Sequence, residues 1–199
     1  MELKMEIVLA THNKNKVKEI QGVLSEIFDG CEVLTATEVG VTDDIVEDGE
    51  TFEENAMIKA RAVWKEGRIA ISDDSGLCVN ALGGAPGIYS ARFAGEPSDT
   101  PKNNAKLLSE LKGKADRSAY FVCAIACILP NGDSFTVRGT ADGVILENEK
   151  GDAGFGYDPL FLYEPLGKTF AELTKEEKHE ISHRGNALRM LADELKKRS

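Results

Sequence analysis

No apolar run in this 199-residue sequence approaches the ~20 residues that a membrane-spanning helix needs. The first residues, Met1 to Glu6, lack the basic-then-apolar order of a secretory signal. Basic residues are outnumbered, 24 Lys and Arg against 34 Asp and Glu, and the formal charge is −10. Such a field repels nucleic acid and anionic membrane, whose binding usually requires a basic face. The four cysteines form no C-x-x-C pair, and Cys123 and Cys127 lie in the apolar run from Ala119 to Leu129. They read as small buried hydrophobes rather than metal or redox groups. Repeats, low-complexity segments and obvious linkers are all missing. At 42% hydrophobic and 29% charged residues the chain is too apolar for disorder. One domain over residues 1–199 is expected, in the cytoplasm, without nucleic-acid or membrane partners.

What is present alternates between two periods. Ile7 to Ala10, Glu32 to Leu34 and Arg68 to Ile71 read as buried strands. Val17, Ile20, Leu24, Ile27 and Phe28 repeat at helical spacing, stopped by Asp29-Gly30. Thr51 and Glu54 form a capping-box pattern that opens a helix running to Trp64. Leu82 to Thr100 reads as loop, with a short helix from Asn104 to Leu111. Ser118 to Leu129 and Ser134 to Thr140 are strands joined at Pro130-Asn131-Gly132, a hairpin signal. Val144 to Leu146 and Leu160 to Leu162 are further strands, and Leu188, Leu191 and Leu195 share one face of a last helix. The order implies an α/β fold, a mixed sheet with helices on its faces.

Two strand ends gather polar groups. Thr11 to Lys16 joins a strand to a helix, where free N–H groups, the helix dipole and two lysines suit phosphate, although a polar turn with a capped helix explains the same residues equally well. It lacks the glycines of a P-loop. Ser72-Asp73-Asp74-Ser75-Gly76 ends another strand, and neighbouring carboxylates that repel one another suit magnesium shared with phosphates. An ordinary Asp-Ser-Gly turn explains the same residues. From Asp43 to Glu54 there are seven acids and no base, which read either as a solvated loop and helix start or as ligands for a hard cation. Phe155 and Tyr157, set between glycines, could offer an aromatic face to a planar base. His179-Glu180-x-x-His183 matches the zinc-peptidase signature, with Glu194 as the candidate third ligand. That chemistry needs one continuous helix, whereas Ser182 is a good cap for a new one.

Six blocks occur in order: Thr11-x-Asn13-x-x-Lys16, Thr51-Phe-Glu-Glu-Asn-Ala56, Asp73-Asp-Ser-Gly-Leu77, Leu82-Gly-Gly-Ala-Pro-Gly-Ile-Tyr-Ser-Ala-Arg92, Phe155-Gly-Tyr-Asp-Pro159 and Ser182-His-Arg184. Together they resemble the inosine triphosphate pyrophosphatase family, enzymes that remove dITP, ITP and XTP. The resemblance runs from Ile7 to Leu195. It implies an elongated mixed β-sheet with flanking helices, two lobes around a nucleotide cleft, and a homodimer. It also implies magnesium-dependent cleavage of the α–β phosphoanhydride of a purine nucleoside triphosphate, giving a monophosphate and pyrophosphate.

Carried over by motif, Thr11, His12, Asn13, Lys14, Asn15 and Lys16 hold phosphates. Asp74 is the general base and a metal ligand, and Ser75 lies beside it at the substrate. Phe155, Gly156, Tyr157, Asp158, Lys178, His183 and Arg184 grip the base and sugar. Glu47 is the second metal carboxylate, with Asp73 near it. Lys16, Lys59 and magnesium offset the acids; Lys59 either touches phosphate or pairs with the carboxylates around it. The sequence admits two other readings: a zinc peptidase through His179, Glu180 and His183, and a nucleotide sensor without turnover.

Overall fold

The computed structural model describes residues 6–11, 16–17, 20–22, 24 and 32–198. The expectations for His12, Asn13, Lys14, Asn15, Cys31 and the Asp29-Gly30 helix stop fall outside these residues. Seven strands, β1 (Glu6–Leu9), β2 (Glu32–Thr35), β3 (Ile69–Val79), β4 (Ser118–Ile128), β5 (Ser134–Ile145), β6 (Phe161–Tyr163) and β7 (Lys168–Thr169), form one sheet in the order β2-β1-β3-β4-β5-β6-β7. β1 runs parallel to both β2 and β3, whereas β5–β6 and β6–β7 are antiparallel. The sheet is therefore mixed, as the sequence pattern implies.

Contacts divide the chain into two compact units. The first comprises Met1–Asp74, Cys123–Gly139 and Asn186–Ser199. β1, the start of β3 and the end of β4 are apolar on both faces, and the two-residue period sorts their side chains. Ile7, Leu9, Ile69 and Ile71 pack with Cys123, Ile125 and Cys127 against Ile20, Leu24, Leu188, Leu191 and Leu195. Val8, Ala10, Ala70 and Ala126 face the other way, onto Ala56, Ala60 and Val63 of the Phe52–Val63 helix. Each fully buried leucine on the first face is worth about 1.5–3 kcal/mol. On the second, alanines let the helix approach the sheet closely. Thr51 caps that helix by accepting from the Glu54 N–H, but the Glu54 carboxylate accepts from Glu50 N at 2.7 Å, so only half of the expected capping box forms.

The second unit comprises Ser75–Val122 and Thr140–Gly185. Its core centres on Phe121, Phe161 and Phe170, with Phe121–Phe161 centroids 4.6 Å apart and Phe161–Phe170 centroids 4.7 Å apart. The segment expected as loop holds a 3-10 helix, Gly87–Arg92. The next helix starts earlier than expected and spans Thr100–Glu110: Asp99 accepts from Lys102 N at 3.0 Å, and Pro101 occupies the first turn. Val144 and Ile145 finish β5 rather than form a strand of their own. Cys78, Cys123 and Cys127 are buried thiols, and burial pushes Cys127 up to about 12. No described helix is long and apolar enough to cross a membrane.

Candidate active site

β3 corrects one reading of the sequence. Ser72-Asp73-Asp74-Ser75-Gly76 does not end the strand but lies inside it, and the strand continues to Val79. Turn-prone residues are tolerated there because their side chains find partners. Ser72 Oγ, for example, donates to the Ala56 carbonyl at 2.5 Å. Inside a strand, consecutive side chains alternate faces. Asp73 therefore follows Ile69 and Ile71 to the face of Ile20 and Leu24, where Lys16 Nζ lies 2.7 Å from its carboxylate. Asp74 follows Ala70 and Ser72 to the face of the Phe52–Val63 helix. There Asn55 Nδ2 lies 3.4 Å from Oδ2 and Lys59 Nζ 3.5 Å from Oδ1.

Asn55 and Lys59 sit four residues apart on one helix face, aimed by the turn that Thr51 caps. Asn55 Oδ1 accepts from Gly49 N at 2.9 Å, which orients the amide so that its nitrogen points at Asp74. Glu47, in the loop before this helix, accepts from Lys59 Nζ at 2.8 Å. The rest of the acidic run behaves as loop and helix start, with Glu53 paired to Arg138 at 2.8 Å. Burial pushes the Asp74 carboxyl above the usual carboxylate range; Lys59 pulls it down, while Glu47 and Asp73 push it further up. Burial would lower Lys59, but Asp74, Glu47 and Asp73 outweigh it and hold the ammonium above its ordinary value.

Two carboxylates, Glu47 and Asp74, thus converge on one cationic nitrogen. This donor set fits magnesium, which takes one or two protein carboxylates and completes its shell with water and phosphate oxygens. Among the described residues no group of three or more metal-ligating side chains gathers, so a site built wholly from protein ligands is not present there. The zinc-peptidase geometry is likewise not built. His179 lies on the Lys175–Ile181 helix and His183 opens the His183–Arg198 helix, with Ser182 extended (ψ 156°) between them. His179 is exposed and His183 is buried.

The second unit holds a cavity of about 240 Å³. Ser75, Gly76, Ser90, Asn103, Phe121, Phe155, Gly156, Tyr157, Asp158, His183 and Arg184 are among its lining residues. Phe155 is 62% exposed, unusual for a phenylalanine, and rides on a turn pinned from several sides. Asp158 Oδ2 accepts from Phe155 N at 2.9 Å and from Lys178 Nζ at 2.5 Å. Tyr157 Oη donates to the Ser90 carbonyl at 2.7 Å. Gly154 and Gly156 have φ of +78° and +61°, and a Cβ at Gly154 would collide with the Asp158 carboxylate. Lys178 Nζ lies 5.0 Å and the Arg184 guanidinium 5.9 Å from the Phe155 ring centre. The His183 imidazole stacks on Phe121 at 4.8 Å, and Arg184 reaches Ser75 Oγ at 3.5 Å.

Among the sequence-derived candidates, Lys16, Glu47, Lys59, Asp73 and Asp74 fall in the first unit in two ion-pair groups, and Thr11 follows the end of β1. Ser75, Phe155 to Asp158, Lys178, His183 and Arg184 fall in the second unit. Asn55 stands in the Thr51-Phe-Glu-Glu-Asn-Ala56 block, but nothing in the sequence marks it as a partner of Asp74. Ser90 was equally hidden: its hydroxyl accepts from Leu77 N at 2.8 Å and donates to the Gly87 carbonyl at 2.6 Å, which no spacing rule reveals.

Residues 7–194 match the profile of the Ham1 family. The dITP/XTP pyrophosphatase of Bacillus subtilis is 48% identical over 195 residues, covering 96% of this chain and 98% of that protein. That of Desulforamulus reducens is 52% identical over 188 residues, covering 93% and 92%. The structure of the Staphylococcus aureus Ham1 protein superposes with a TM-score of 0.90 at 42% identity, covering 98% of this chain and all of that one. The chain belongs to the Ham1 family.

Proposed function

We propose that this protein hydrolyses the triphosphates of deaminated purines, dITP, ITP and XTP, to the nucleoside monophosphate and pyrophosphate. The observation that carries the reading is Asp74. It is a half-buried carboxylate inside a strand, held by Asn55 and Lys59, and burial raises it above the usual carboxylate range, the direction that suits a general base. The dITP/XTP pyrophosphatases that are about half identical over nearly the whole chain support the substrate class.

Asp74 orients a water and takes its proton as the water oxygen bonds to the α-phosphorus. The bond from that phosphorus to the α–β bridging oxygen breaks, and pyrophosphate departs with the electron pair. Water is the nucleophile, so no covalent enzyme intermediate is required. Lys16 and Lys59, with Thr11 and the segment His12, Asn13, Lys14 and Asn15, meet the polyphosphate in a chain of charge −10. Glu47 and Asp74 would hold magnesium, with Asp73 adding negative charge close by; when bound, the ion neutralises charge on the pyrophosphate.

Phe155 gives the purine a ring to stack on, and Tyr157, Asp158 and Lys178 hold that ring in place. Arg184 donates hydrogen bonds and cannot accept them. A carbonyl at position 6, as in hypoxanthine and xanthine, suits it or the neighbouring His183. The amino group of adenine there would set donor against donor and leave buried groups unpaired. In this reading the protein works as a cytoplasmic homodimer, free of nucleic acid. Incubation with ITP, XTP, GTP and ATP, with and without magnesium, tests it. Pyrophosphate from ITP and XTP but not from ATP, only with magnesium, is the expected result, and equal turnover of ATP would overturn the selectivity.

A further inference from the structure

On the Thr100–Glu110 helix, positions 104, 107, 108 and 111 share one face, and Leu107, Leu108 and Leu111 pack into the core of the second unit. An apolar residue is expected at 104, yet Asn104 stands there, only 3% exposed. Its Nδ2 donates to Glu149 Oε1 at 2.8 Å and to the Gly156 carbonyl at 3.3 Å. Its Oδ1 is buried and meets no hydrogen-bond donor among the described residues. Burying an amide with an idle acceptor costs stability that a leucine would not. A residue that breaks the apolar pattern at such a cost points to function rather than folding.

The function follows from where the nitrogen goes. Gly156 directly follows Phe155, the exposed ring, and its positive φ sets the turn that presents that ring. The turn is tied on one side by Asp158, through the Phe155 N–H, and on another by Tyr157, through Ser90. Asn104 supplies the tie to the Gly156 carbonyl, and Glu149 fixes the amide so that the tie is made. Unlike Asp158 and Tyr157, neither Asn104 nor Glu149 lies in the Phe155-Gly-Tyr-Asp-Pro159 motif.

We infer that Asn104, oriented by Glu149, is a positioning residue for purine binding: it fixes the Phe155 ring as the stacking platform. The inference rests on the proposed nucleotide reading of this site. It predicts a split that a purely structural residue does not show. Asn104→Leu removes the tie while restoring the apolar face, so its melting temperature matches or exceeds that of the wild type. Its KM for ITP rises about tenfold, part of the stacking contribution of one base, with kcat within about twofold. Amide exchange at Phe155 to Asp158 speeds about tenfold or more, with the remaining amides unchanged.

Asn104→Ala is the second variant should leucine disturb the helix. A Phe155→Ala background completes the test, because without the ring Asn104→Leu has nothing left to position and KM rises no further. Unchanged exchange and KM in both variants would overturn the inference. So would an equal KM increase with and without the Phe155 ring. If exchange speeds up but the wild type turns over no ITP, the anchoring of the turn stands and the nucleotide reading fails.

Discussion

Replacing Asp74 with asparagine should abolish turnover and stabilise the fold together. The substitution keeps the side-chain size and an oxygen for Asn55, removes the charge, and leaves Lys59 its Glu47 partner at 2.8 Å. Loss of a general base alone costs about 10²–10⁴ in rate. Loss of one of two carboxylates for the cation adds to that. Stability moves the other way because burial, the first cause, together with Glu47 and Asp73, holds the Asp74 carboxyl above its unfolded value despite Lys59. A carboxyl raised by folding binds its proton more tightly in the native state. Its contribution is therefore full below the unfolded value of 3.8 and is lost as pH rises through the folded value. At neutral pH the wild type carries that cost and the variant does not. The gain should be on the order of 1 kcal/mol, as when an unfavourable charge is removed, or about 2–4 °C in melting temperature. Melting of both proteins across pH 4 to 8, without metal, reads the difference, which should shrink towards acid. A variant less stable than the wild type at pH 7 would show that Asp74 is not a cost to the fold, and one within tenfold of its activity that Asp74 is not the base.

Gly154→Ala places a Cβ against the Asp158 carboxylate at a φ of +78°. It should cost more than about 1 kcal/mol of stability in thermal melts and raise the KM for ITP, because Asp158 then releases Phe155 N and Lys178. Lys16→Ala removes a cation 2.7 Å from Asp73. Steady-state kinetics should show a several-fold higher KM that narrows the dependence on ionic strength, whereas full wild-type kinetics would exclude Lys16 from phosphate binding.

The sheet of the first unit could be read from sequence because its strands are short apolar runs with one turn of chain chemistry at each end. Ile7 to Leu9 and Ile69 to Ile71 leave no other assignment, and Pro130-Asn131-Gly132 announces its hairpin through the Leu129 N–H bond to the Asp133 carbonyl at 2.7 Å. β3 exceeds its expected length because Asp73 and Asp74, turn-formers by local preference, are held extended by Lys16, Lys59 and Asn55 from distant parts of the chain. Tertiary pairing overrode propensity there, at the place where the chemistry gathers. The Lys175–Ile181 helix carries a local signal of its own, the complete capping box of Thr174 and Glu177. The two-residue β7 had none.

At the site, the motif residues were visible by type but their division was not. Adjacent acids suggested a shared cation, whereas strand alternation gives each its own lysine. No local pattern sets Glu47 apart from the other six acids of its run; its 2.8 Å bond to Lys59 is made across the fold. Asn55 reaches Asp74, 19 positions away, and Asn104 reaches Gly156, 52 positions away, by hydrogen bonds, a kind of information that no local pattern carries.

Attack of water at the α-phosphorus, rather than at the β- or γ-phosphorus, defines the proposed reaction. Hydrolysis of ITP in ¹⁸O-labelled water, with the products separated and weighed by mass spectrometry, tests it directly. The label should enter inosine monophosphate and leave pyrophosphate unlabelled. Label in pyrophosphate, or in orthophosphate as the first product, would place the attack at another phosphorus and rule this reaction out.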